Sequence, residues 1–123
     1  MATVRYIVRD PAEARDFYVS ALGFDLVEEW GEAFVIVGRG DLKLWLAGPK
    51  TSAAKPMPDG AAPASGGWNR IVIEVPDIEA TVAALKAAGT TLRNEITKGP
   101  GGAQVLVEDP SGNPVEIFEA RKD

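Results

Sequence analysis

The chain contains no cysteine and no histidine. Without cysteine, neither disulfide bonds nor thiolate chemistry can contribute. Without histidine, the usual general base at neutral pH and the commonest transition-metal ligand are missing too. Positive charge is scarce: 13 Lys and Arg stand against 18 Asp and Glu, for a net charge of −5. No basic stripe can replace phosphate counterions, which argues against nucleic acid as a partner. No apolar run approaches the roughly 20 residues of a membrane-spanning helix. The opening Met-Ala-Thr-Val-Arg-Tyr lacks the charged and then apolar pattern of a secretion signal. The expectation is a cytoplasmic protein with no membrane or nucleic-acid partner and no cofactor.

What is present suits one folded domain. The chain has 123 residues, 46% hydrophobic and 25% charged, enough to bury a core without staples. Thr3 to Arg9 alternate, with Val4, Tyr6 and Val8 on one side and Thr3, Arg5 and Ile7 on the other, which predicts a strand. Asp10-Pro11-Ala12-Glu13 then opens a helix: Asp10 caps it, Pro11 suits the first position and Glu13 completes a capping-box pattern. Ala14, Phe17, Ala21 and Leu22 lie at helical spacing as the buried stripe, and Gly23 ends the helix. Strand-like runs follow at Phe24 to Trp30, Ala33 to Val37 and Leu42 to Ala47, separated by Gly31 and Arg39-Gly40-Asp41.

Residues 48–67 break the periodicity with four prolines and four glycines, and read as a linker without helix or strand of its own. The pattern then repeats. Ile71, Ile73 and Val75 alternate with Arg70, Val72 and Glu74; Asp77 caps a helix carrying Ile78, Val82 and Leu85; and Gly89 ends it. Runs at Thr91 to Ile96, Ala103 to Glu108 and Pro114 to Glu119 complete the set. An internal repeat is an architecture signal. It predicts an α+β fold of two βαβββ modules, residues 1–47 and 68–123, joined by 48–67 in a single domain.

Three motifs in this order resemble a known family. They are Thr3-Val4-Arg5-Tyr6-Ile7-Val8-Arg9-Asp10 with Phe17-Tyr18 and Leu22-Gly23-Phe24; Arg70 through Asp77; and Asp109-Pro110-Ser111-Gly112-Asn113-Pro114-Val115-Glu116. Together they resemble the vicinal oxygen chelate superfamily of glyoxalases, bleomycin-resistance proteins and extradiol dioxygenases. The resemblance implies two curled mixed sheets, each with a helix on its convex face, forming a half-barrel pocket, commonly in a homodimer. It also implies four metal-ligand positions, which fall here on Thr3, Trp45, Arg70 and Glu116. Of these only Glu116 is a good ligand, and Arg70 is a cation that repels metal, so the resemblance points to a member that has lost its metal site.

The same residues are the candidates for binding. Arg70 and Glu116 are expected to pair, either as a structural ion pair or with Arg5 and Arg70 holding an anionic group while Glu116 acts as a base. A base role needs a carboxyl whose proton affinity is raised by desolvation, and a neighbouring guanidinium works the other way. Leu42, Leu44 and Leu46 alternate with Lys43 and Trp45, so Trp45 is expected on the face away from the helix, either lining a pocket or filling a core. Trp68 and Trp30 are further aromatic candidates, and Glu28, Glu29 and Glu32 read as a solvated edge. Ligand-binding candidates are thus Thr3, Arg5, Trp45, Trp68, Arg70 and Glu116. The expected function is metal-independent binding of a small organic molecule, drug-like or cationic and planar. The alternatives are an enzyme of the same fold with an atypical active site, or an interaction protein with a vestigial pocket.

Overall fold

The computed structural model describes residues 2–122. The chain divides into two compact units, the first ending at Gly66 and the second beginning at Gly67. In the first unit β1 (Ala2–Ile7) is followed by α1 (Pro11–Ser20), β2 (Asp25–Trp30), β3 (Phe34–Arg39) and β4 (Leu42–Ala47). They make one sheet in the order β1-β4-β3-β2, with β1 parallel to β4 and the hairpin neighbours antiparallel. The second unit comprises β5 (Ile71–Glu74), α2 (Ile78–Ala87), β6 (Thr91–Leu92), β7 (Thr97–Gly99), β8 (Gly102–Glu108) and β9 (Pro114–Ala120). Its sheet runs β5-β9-β8-β6, with β7 also on β8 and β5 parallel to β9. The α+β class and the repeated element order are as expected.

Both helices start where the capping residues predict. Asp10 accepts the Ala12 N–H at 3.0 Å and Asp77 accepts that of Ala80 at 3.1 Å. The two then differ. Pro11 has no N–H to satisfy, whereas the Ile78 N–H of α2 donates to Glu119 Oε1 at 2.8 Å. The capping-box reading of Glu13 is corrected: its carboxylate takes the Arg9 guanidinium at 2.6 and 2.8 Å instead. Gly23 and Gly89 follow the two helices at φ 72° and 83°, a region costly for other residues.

In the first unit the core lies between α1 and one face of the sheet, where Val35, Val37, Leu44 and Leu46 are fully buried. The buried stripe of the helix is rotated from the expected one. Phe17 and Ala21 are half-buried, whereas Tyr18 is fully buried and meets Phe24 edge to face at 5.4 Å. Pro11, Ala14, Tyr18 and Leu22 form that stripe, at spacings of three and four. The core of the second unit joins Ile78, Val82 and Leu85 of α2 to Ile71, Ile73, Val105, Val107, Val115 and Ile117. Complete burial of a Leu, Ile or Val side chain contributes about 2 kcal/mol, so these two layers dominate stability.

Two expectations about regular structure are corrected. The run Thr91 to Ile96 is not one strand but ends at Leu92, and pairing with β8 resumes only at Thr97. The Arg93 N–H still bonds Leu106 O at 2.8 Å, but the Leu106 N–H goes to the Asn94 side chain at 2.9 Å. A side-chain oxygen thus replaces the next backbone carbonyl and lets the strand bend. Residues 48–67, expected to have no helix or strand of their own, carry a short 3-10 turn at Ser52–Ala54, and all but Gly67 fall in the first unit. Gly48 N–H donates to Ala33 O at 3.0 Å, and Thr51 Oγ1 donates to Gly48 O at 2.7 Å. No helix among the described residues is long and apolar enough to cross a membrane.

Candidate functional site

Strand alternation leaves each sheet a second face, turned from its helix. In the first unit Arg5, Trp45 and Ile36 form a row across β1, β4 and β3, with Phe34 and Trp30 one row along. The aromatic rings meet edge to face: Trp30 with Phe34 at 6.1 Å and Phe34 with Trp45 at 5.7 Å. The Arg5 guanidinium lies 4.9 Å over the Trp45 ring and 6.0 Å from that of Phe34. Trp45 is half-buried, and its Nε1 is buried without a hydrogen-bond partner among the described residues. An orphan donor of this kind normally costs about 1–3 kcal/mol. Thr3 sits in the next row beside Lys43, exposed and outside the aromatic group.

The second unit finishes its face with charge. Val72, Glu116, Leu106 and Arg93 form a row across β5, β9, β8 and the residue after β6. Arg70 donates from Nε and Nη2 to Glu116 Oε1 at 3.1 and 2.9 Å, and from Nη1 to Trp68 O at 3.2 Å. Arg93 donates to Glu108 at 2.7 Å, to Gly67 O at 2.7 Å and to Gly112 O at 2.9 Å. Its guanidinium also stacks 4.8 Å over the Trp68 ring. The expected Arg70–Glu116 pair is therefore formed, and Trp68 is held by arginines at its carbonyl and its ring. Arg93 and Glu108 were not singled out from the sequence. Their signal was an arginine in a run read as a regular strand, where only its long-range partners distinguish it.

Arg5, Trp45 and Thr3 belong to the first unit; Trp68, Arg70 and Glu116 belong to the second. None of the six lines the open cleft of about 600 Å³ beside the start of α1, which is bordered by Arg9, Asp10, Arg15, Glu29, Glu32 and Lys50. Charges there pair with one another: Arg9 with Glu13, Arg15 with Glu29 and with Asp16, and Lys50 with Glu32. Glu29 is thus an anchor for α1 and not only the solvated edge residue expected. Hydrogen bonding by Asp16, then Glu29, raises the Arg15 pKa further, and the Arg9 bonds lower that of Glu13 below 4.5.

A metal of the kind the resemblance implies does not fit the donors present. Of Thr3, Trp45, Arg70 and Glu116 only the last is an anionic donor, and its Oε1 already accepts both bonds from Arg70. Among the described residues no three Asp or Glu side chains converge.

Comparison with known proteins now decides the family. The model of the Glyoxalase/Bleomycin resistance protein/Dioxygenase superfamily matches residues 1–117. The chain belongs to this superfamily. Among solved structures it resembles a superfamily member from Sphaerobacter thermophilus DSM 20745 at 27% identity, TM-score 0.77, covering 97% of this chain and 95% of that one. It resembles an antibiotic binding protein from Streptomyces sp. CB03234 at 25% identity, TM-score 0.75, covering 97% and 93%. A lactoylglutathione lyase from Agrobacterium tumefaciens, at 19% identity, TM-score 0.76 and coverage of 97% and 92%, shares the fold. No curated protein matches the chain.

Proposed function

We propose that this superfamily member binds a small, planar, drug-like organic molecule without metal and sequesters it unaltered. The observation that carries this reading is the aromatic group of Trp30, Phe34 and Trp45 beneath Arg5, on the sheet face turned from α1. Flat rings offer stacking area at little entropic cost. The antibiotic binding protein from Streptomyces supports the same direction. Arg5 already occupies the cation position over Trp45, so a neutral or anionic planar ligand is preferred over the cationic one expected from the acidic composition. Arg5 borders the stacked rings, with Thr3 in the next row of the same sheet, and Trp68, Arg70 and Glu116 are the ligand-binding candidates of the second unit. The enzyme reading has Glu116 as its one candidate base, and that carboxylate is committed to Arg70.

In this reading residues 1–123 work as one domain in the cytoplasm, as a homodimer. The exposed Leu26 and Val27 of edge strand β2 supply apolar surface for a second copy to cover. The test is a thermal-shift and tryptophan-quenching screen with anthraquinone, acridine and quinoline antibiotics. A rise in Tm with saturable quenching, lost in Trp45→Ala, is expected. No shift with any compound at millimolar concentration, or product formation from one of them, overturns the reading.

A further inference from the structure

We infer that the second unit holds its own polar subsite, in which Glu116 Oε2 accepts the N–H or O–H of a neutral aromatic ligand whose ring lies on the open face of Trp68. This rests on the small-molecule reading above and names the chemistry that the ligand must carry. Glu116 is 8% exposed, and both bonds from Arg70 fall on Oε1. Oε2 has no partner among the described residues, and it is not sealed, because the side chain keeps 11% of its surface open. A carboxylate oxygen held in a fixed direction by the pairing of its neighbour is a ready acceptor. Trp68 is 69% exposed although it is pinned through its carbonyl and one ring face. An exposed indole that cannot swing away is a preorganised stacking surface. Leu106 and the half-exposed Val72 flank Glu116 on the same row and complete an apolar floor.

Charge selects the ligand class. Arg70 is neutralised by Glu116, and Arg93 by Glu108. An ammonium would meet two guanidinium groups with no surplus negative charge to offset them. A carboxylate would face the lone pairs of Oε2. A neutral donor such as an aryl amide, anilide or phenol meets neither penalty.

The test is an NMR titration of the full chain with benzamide, benzoate and benzylammonium, following the Glu116 carboxyl carbon and the three indole N–H signals. Benzamide should shift Glu116 and Trp68 together and bind at least about fivefold more tightly than either charged probe, the scale of one hydrogen bond of about 1 kcal/mol. In Glu116→Gln the amide oxygen must stay towards Arg70, so its NH2 replaces Oε2 and the preference should turn from benzamide to benzoate. Trp68→Ala, a change at an exposed ring, should weaken all three probes while the Glu116 signal keeps its position in the free protein. Equal response to the charged probes, or no reversal in a folded Glu116→Gln variant, overturns the subsite. Benzamide shifting only Trp30 and Trp45 overturns the subsite while leaving the small-molecule reading in place. No indole moving with any probe overturns both.

Discussion

At the centre of the first sheet, Arg5, Trp45 and Ile36 stand side by side; at the matching place in the second stand Val72, Glu116 and Leu106. The strand order is the same and the helix-facing layers are alike in kind, mostly Val, Leu and Ile. On the opposite faces one unit has stacked rings under a single guanidinium, and the other has two ion pairs framing an indole. The difference teaches where this fold is constrained. A layer packed against a helix must be apolar and close-fitting. The other face need only satisfy whatever polar groups it buries, so the two units differ there more than in the core, where the first adds Tyr6, Tyr18 and Phe24 to the aliphatic layer.

The largest effect should separate ring packing from ring chemistry in the first unit. Trp45→Ala removes the centre of the aromatic group and should cost roughly 3 kcal/mol in urea unfolding. Trp45→Phe keeps most of the ring and deletes the orphan N–H, so its cost should stay below about 1 kcal/mol. Equal losses for both variants would mean that the indole nitrogen matters to the fold. In the second unit Arg70→Met strands a largely buried carboxylate and should cost about 2 kcal/mol. Adding Glu116→Met should recover most of that loss; a double variant as unstable as the single one would give the ion pair a role beyond mutual compensation.

Smaller effects sharpen the comparison at the helix starts. Asp10→Ala and Asp77→Ala should each cost about 1 kcal/mol. Glu119→Gln should cost less than Asp77→Ala, because a neutral oxygen can still accept the Ile78 N–H. No proline-capped helix needs that extra acceptor, so α1 has no equivalent to lose. The smallest effect is acid-dependent. Arg9 hydrogen bonds, outweighing desolvation, depress the folded pKa of Glu13 below 4.5. Its contribution is therefore present above that value and disappears as pH falls through the lower folded one. The pair is exposed, so Glu13→Gln should differ from the parent by only about 0.3 kcal/mol at pH 6, a difference that fades as pH falls through the folded pKa.

Much of this is legible in the sequence. Alternation in Leu42 to Ala47 placed Trp45 opposite Leu44 and Leu46, because a strand offers only two faces. Asp10, Pro11, Asp77, Gly23 and Gly89 marked helix ends, since their preferences arise within four or five residues. The pairing of Arg70 with Glu116 was reached through family resemblance, 46 residues apart in sequence. Where local rules offered near-equal choices they failed: Phe17 and Tyr18 both fit a helical stripe, and the turn of the helix against Phe24 chose the second.

The sequence by itself determined the repeat, the two strand faces, the helix limits and the absence of thiol and imidazole chemistry, because each depends on composition or on neighbours along the chain. Tertiary structure alone decided that Glu119 closes the start of α2, that Asn94 interrupts a strand at Leu106, and that Arg93 clamps Trp68 beside Glu108. Those contacts join residues from 12 to 41 positions apart. Their partners are chosen by where folded strands bring a side chain within hydrogen-bonding reach, a distance that no local pattern encodes.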